Sequence, residues 1–89
     1  MPKIVITHRV VDVDAWLKFK SERADAIGGM GGTHVVDHVA HDGGNNVSVS
    51  GDVEDVAAMM AALASPPPEL AALMEKHGVL PPLAAYVEK

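Results

Sequence analysis

KIVITHRVVDVDAW, residues 3–16, decides the fold. Its first part, Lys3 to Val10, is short and rich in β-branched residues and is bounded by Asp12 and Asp14, the pattern of a strand leaving a sheet. Asp12 suits the N-cap of a helix, because its carboxylate can accept from the free amides of the first turn. Asp14 adds favourable negative charge at the same end. The helix runs from about Val13 to Ile27. Trp16, Phe19, Arg23 and Ile27 fall near one face at spacings of three and four, while Lys18, Glu22 and Asp25 point outward.

Gly28-Gly29-Met30-Gly31-Gly32 ends that helix, since glycine just past a helix takes the left-handed conformation without steric cost. A phosphate-cradling loop would join a strand to a helix start. Here a helix precedes and a strand follows, so the glycines read as structural. Thr33 to His41 is the second strand and Asn46 to Ser50 the third, joined by Asp42-Gly43-Gly44-Asn45, which has hairpin composition. The third strand alternates, Val47 and Val49 on one face and Ser48 and Ser50 on the other. Asp52 is expected to cap a second helix, with Asp55 echoing a capping box and Val56, Met60 and Leu63 as the apolar stripe. Ser65-Pro66-Pro67-Pro68 stops it, because proline lacks an amide donor and biases its predecessor to extended geometry. Glu69 to His77 is a third, short helix with Leu70, Leu73 and Met74 inward, and Leu83 to Glu88 is the last strand. The order β-α-β-β-α-(α)-β with short connections implies an α+β ferredoxin-like plait, an antiparallel sheet with helices on one face, as a single domain over residues 1–89.

Composition narrows the rest. The 89 residues include no cysteine and one each of Trp, Tyr and Phe, so the core is aliphatic and neither disulfide nor thiolate chemistry is available. A chain this short is marginal without a supplement to its core. Ile4 and Ile6 share one face of the first strand and Val5 and Thr7 the other, so the face away from the helices also needs a cover. A second copy of the chain is the expected cover, making a homodimer. The net charge is −5 and the seven Lys and Arg are scattered, which argues against a nucleic-acid partner. Met1-Pro2-Lys3 leads straight into a strand rather than a signal-peptide core, and no stretch approaches the roughly 20 apolar residues of a membrane span. A cytoplasmic protein with no membrane partner is the expectation.

With those elements placed, the chain resembles the dimeric α/β-barrel superfamily, in which two ferredoxin-like protomers pack their sheets into a barrel around a pocket. Within it, the chain is most similar to small stand-alone proteins described as cyclases or antibiotic-biosynthesis-type monooxygenases. The resemblance rests on His8-Arg9 ending the first strand, on Asp12, Asp14, Ala15 and Trp16 opening the helix, on the hairpin, on the Ser65-Pro66 break and on Gly78-Val79 before the final strand. It spans nearly the whole chain and implies fold far more than activity, because the superfamily hosts many chemistries. Heme-degrading members carry an asparagine before an arginine at the place of His8-Arg9, a tryptophan on the second helix and an axial histidine on the next. Here the second helix offers only Ala, Met and Leu, and His77 comes about a turn late. The aromatic-lined sites of quinone-forming members are poorly matched by so few aromatics. No cofactor is expected.

His8 is the leading candidate for chemistry. With Ile4, Ile6 and His8 pointing into the barrel, its imidazole would lie at the end of a mostly apolar wall, where burial can tune it for proton transfer. The plainer reading is a strand-end histidine bonded to backbone or solvent. His34, His38 and His41 invite a metal reading that strand geometry disfavours: His34 and His38 lie about 13 Å apart along one face and His41 points the other way, so no metal site is expected. His38 can still face the pocket opposite Ser48 or Ser50. Those serines suit a wall that hydrogen-bonds a ligand, or a solvated dimer interior. Tyr86 can reach the pocket with its hydroxyl or pack at the dimer seam. No Gly-x-Ser-x-Gly elbow exists to activate a serine. Trp16 and Phe19 read as core, Asp12 and Asp14 as helix-start residues, and His77 as a helix C-terminal group favoured by the free carbonyls there. The resulting expectation is a homodimer that binds a small, partly apolar carbonyl or phenolic compound and transfers a proton without a cofactor, as a cyclase, isomerase or monooxygenase. His8 is the acid/base, and Ser48, Ser50, His38 and Tyr86 orient the substrate. The alternative is a non-catalytic homodimer that binds a ligand or serves only as a structural unit.

Overall fold

Eight elements follow one another in a computed structural model that covers residues 1–89. They are β1 (Lys3–Val10), α1 (Val13–Lys18), α2 (Lys20–Gly29), β2 (Gly32–Val39), β3 (Asn46–Val53), α3 (Val56–Ala64), α4 (Pro68–Lys76) and β4 (Val79–Val87). The four strands form one antiparallel sheet in the order β2-β3-β1-β4, the ferredoxin-like arrangement. No single helix is long and apolar enough to cross a membrane.

Three boundaries differ from the sequence expectation, each for a local reason. The long first helix breaks at Phe19, whose amide turns back to Trp16 O at 3.2 Å, an i to i−3 closure that tightens the turn before α2 begins. Asp52 does not cap α3. Strand β3 continues through the fully buried Val53, and Asp55 is the cap, accepting from the Ala58 amide at 3.0 Å. Asp52 pairs instead with Lys3 at 3.5 Å and His34 at 2.9 Å. Strand β4 starts at Val79 and carries Pro81-Pro82 inside it, which an edge strand tolerates because one side of its ladder is unpaired. The register with β1 jumps there, from Thr7–Ala84 to Arg9–Leu80, so the irregularity falls opposite His8.

Two clusters under the helices make the core: Ile4, Ile6, Val53 and Met59, and then Val10, Trp16, Val47 and Val49. Every even-numbered position of β1 from Ile4 to Val10 is therefore buried on the helix side, as the period of two requires. The odd positions face away from the helices. Register sets Val5 beside Ser50 and Tyr86, Thr7 beside Ser48 and Ala84, and Val36 and His38 beyond the two serines. No helix covers this second face, and Val36 and Tyr86 are 49% and 59% exposed on it. The helix layer is itself uneven, since α4 contributes no buried residue. It hangs between Pro66-Pro67 and Gly78, whose φ of 72° is open to glycine at little cost.

Candidate functional site

Between the sheet and the helices lies a cavity of about 70 Å³. Its walls are mostly aliphatic, Ile6, Ile27, Met59 and Leu73 among them, and four polar residues interrupt them: His8, Arg23, Ser50 and His77.

His8 is brought there by β1, two residues before the strand ends at Val10, and is 8% exposed. Its Nδ1 lies 2.9 Å from the Arg9 carbonyl oxygen. A carbonyl can only accept, so Nδ1 carries the hydrogen and Nε2 presents a lone pair that no protein group engages. The ring meets Trp16 edge-on at 6.2 Å. Burial lowers the pKa of His8, the Arg9 carbonyl opposes that, and the Arg23 charge lowers it further. The group is thus a neutral base at neutral pH, held in one tautomer.

Arg23, from the inward stripe of α2, is the only buried Lys or Arg and is tied down on every side. Its Nε and Nη2 donate to the two carboxylate oxygens of Asp37 at 3.1 and 2.8 Å, and Nη2 also donates to Trp16 O at 3.0 Å. The guanidinium lies 3.8 Å from the centre of the Trp16 ring. Asp37 is opposite Val49 in the register, hence on the helix side, with its side chain 2% exposed. The fork-to-fork geometry satisfies both charges, the condition for an ion pair to survive burial.

The remaining nitrogen, Nη1, approaches His77 Nδ1 at 3.3 Å. His77 caps the C-terminus of α4, is 3% exposed and stacks on Phe19 with ring centroids 4.6 Å apart and planes 4° from parallel. An arginine nitrogen can only donate, so Nδ1 of His77 accepts and its hydrogen sits on Nε2. That Nε2 is buried and has no partner. Burial lowers the pKa of His77, and the neighbouring Arg23 charge adds to the effect.

The five residues expected from sequence to share a site do not converge. His8 faces the helix layer, whereas Ser48, His38 and Tyr86 stand on the uncovered face in register with Thr7 and Val5. Ser50 stands in the uncovered row by register, yet it is buried and also borders the cavity. The uncovered face and the pocket wall are thus opposite sides of one sheet, and the alternation along β1 sends His8 to the helix side. His34 pairs with Asp52 at the sheet margin, and no group of three or more His, Asp or Glu side chains converges as a metal site would need. Reasoning from sequence places His77 at the C-terminus of its helix, where it stands, but yields no expectation for Asp37 or for the burial of His77 against Arg23. Both carried a signal: Arg23 on an apolar stripe demands a buried partner, and His77 continues the spacing of Leu70, Leu73 and Met74.

No family model and no curated protein matches the chain. Solved structures do. An antibiotic biosynthesis monooxygenase superposes with a TM-score of 0.66 at 11% identity, covering 100% of this chain and 97% of the other. A Deinococcus radiodurans protein, provisionally named an antibiotic biosynthesis monooxygenase, gives 0.58 at 15% identity over 97% and 90% of the two chains. Rv0793 from Mycobacterium tuberculosis gives 0.59 at 15% identity over 100% and 94%. The chain has the ferredoxin-like fold of these proteins, end to end.

Proposed function

We propose that the protein binds a small, partly apolar carbonyl or phenolic compound between sheet and helices and transfers a proton on it through His8, without a cofactor. The observation that carries this reading is the His8 Nε2 lone pair, fixed in its tautomer by the Arg9 carbonyl and set in a mostly aliphatic cavity. Nε2 takes the proton of an acidic O–H or C–H and leaves a phenolate or enolate. The imidazolium is poorly solvated there, so the proton is returned readily. Proton return alone gives an isomerase or cyclase. If dioxygen meets the carbanion of an activated CH2 group, one oxygen atom enters as a carbonyl and the other leaves as water, the substrate supplying the electrons. The names of the structural neighbours favour that monooxygenase outcome.

A ring-sized substrate exceeds about 70 Å³, so it enters with α4 displaced, the one helix with no fully buried residue. On the opposite face, a second copy of the chain covers Val5, Val36 and Tyr86. Phenol and acetophenone titrated into histidine-labelled protein test the assignment. The His8 imidazole resonances should move while those of His38, on the other face, stay fixed. Shifts confined to His38, or none at His8 with either compound, would overturn it.

A further inference from the structure

We infer that His77 is a second ligand-binding group of the same cavity, donating from Nε2 to an acceptor oxygen, with Asp37 and Arg23 as the residues that position it. The inference rests on the cavity being the binding site. It narrows the ligand to a compact apolar frame that carries a proton-giving O–H or C–H toward His8 and an oxygen acceptor toward His77.

The argument runs along a chain of fixed polarity. Asp37 accepts two hydrogen bonds from Arg23, so the guanidinium cannot rotate. Nη1 is left pointing at His77 Nδ1, and because it can only donate, the imidazole hydrogen is forced to Nε2. Protonating His77 would set an N–H against that same N–H, so the ring stays a neutral donor. The charged and titratable groups facing it are Arg23, Asp37, Glu22 and Lys76. Phe19 holds the ring plane from one side. The outcome is a buried N–H with nothing to donate to. Such groups are rare in native proteins because they forfeit hydration without compensation, and a ligand oxygen or a trapped water would relieve the loss.

His8 is the complement. There a carbonyl sets Nδ1 as the donor and leaves Nε2 the acceptor. The two histidines in the cavity wall therefore present opposite hydrogen-bonding character, each imposed by a neighbour that can play only one role. Two freely tautomerising imidazoles would accept a ligand in either sense; this pair accepts one.

The test uses the whole protein and four probes of nearly one frame: 4-hydroxybenzaldehyde with both groups, benzaldehyde with the acceptor, phenol with the donor, and toluene with neither. Long-range nitrogen NMR of the free protein should show His8 with its hydrogen on Nδ1 and His77 with its hydrogen on Nε2. The two-group probe should bind about tenfold tighter than either one-group probe. In His77→Phe, which keeps the stack on Phe19, that margin over phenol should vanish, and in His77→Gln, which restores an amide donor near Nε2, part of it should return. Reversed tautomers would overturn the inference, as would toluene binding as well as 4-hydroxybenzaldehyde. In the second case the cavity itself stands. If none of the four binds, the cavity reading falls as well. A margin that persists in His77→Phe assigns the acceptor contact to another group and removes His77.

Discussion

Replacing Asp37 with alanine would leave the Arg23 guanidinium charged, buried and without its counter-ion. The two side chains are 8% and 2% exposed, so solvent cannot take over the lost carboxylate. Arg23 is also kept from swinging outward by Trp16 O, the Trp16 ring and His77. Breaking a buried pair from one side costs about 3–5 kcal/mol, and the loss of two charge-assisted hydrogen bonds places Asp37→Ala near 4 kcal/mol. Asp37→Asn keeps one acceptor and should cost about 2 kcal/mol. Arg23→Met with Asp37→Leu removes both charges together and should cost less than Asp37→Ala alone, since no uncompensated ion remains. Urea unfolding followed by the single Trp16, at one fixed protein concentration, measures all three. With an m value of about 2 kcal/mol/M, Asp37→Ala should lower the midpoint by about 2 M. If that variant costs under about 1 kcal/mol, or the double variant costs as much as Asp37→Ala, the pair is not the buried, mutually dependent unit described above.

Three further outcomes follow from the same geometry. His8 and His77 both have pKa values lowered from 6.5, so the unfolded chain binds protons that the folded one refuses. The stability tied to their neutral forms is complete above pH 6.5 and is lost as pH falls through the lower folded values; NMR titration of either ring at or above 6.5 would contradict this. Thr7→Glu places charge at the centre of the uncovered sheet face and should turn a dimer into a folded monomer by sedimentation, with circular dichroism unchanged; a native chain already monomeric at micromolar concentration refutes the dimer. Amides of α4 should exchange with solvent faster than those of β1 and β3, because α4 has only half-buried side chains; equal protection would mean the helix is held as firmly as the sheet.

The elements were legible because their signals are local. Asp12 accepts from the Ala15 amide at 3.0 Å as its position foretold, Trp16 is fully buried, and the hairpin turn joins β2 to β3 where Asp42 to Asn45 predicted it. Boundaries failed where a tertiary contact outweighed a local preference: Asp52 is a plausible cap that loses to Lys3 and His34 across the sheet. The site was half legible. His8 could be singled out by its place at the end of an apolar run, but its direction depends on which face the helices take, and periodicity cannot distinguish two half-apolar faces. Asp37 stands alone among Val35, Val36 and Val39, and only the register opposite Val49 reveals that it turns inward to Arg23.

The alternation along β1 has a consequence for how such a protein can change. Ile4, Ile6 and His8 address the cavity, while Val5 and Thr7, threaded between them, address the opposite side of the sheet. The cavity wall and the uncovered sheet face are thus written on interleaved positions of one eight-residue strand, with no residue serving both. A substitution at an even position can reshape the cavity and leave the uncovered face intact, and one at an odd position can do the reverse. Inserting or deleting a single residue in this strand would exchange the two sets at once. Point variation here is separable; a shift in reading the strand is not.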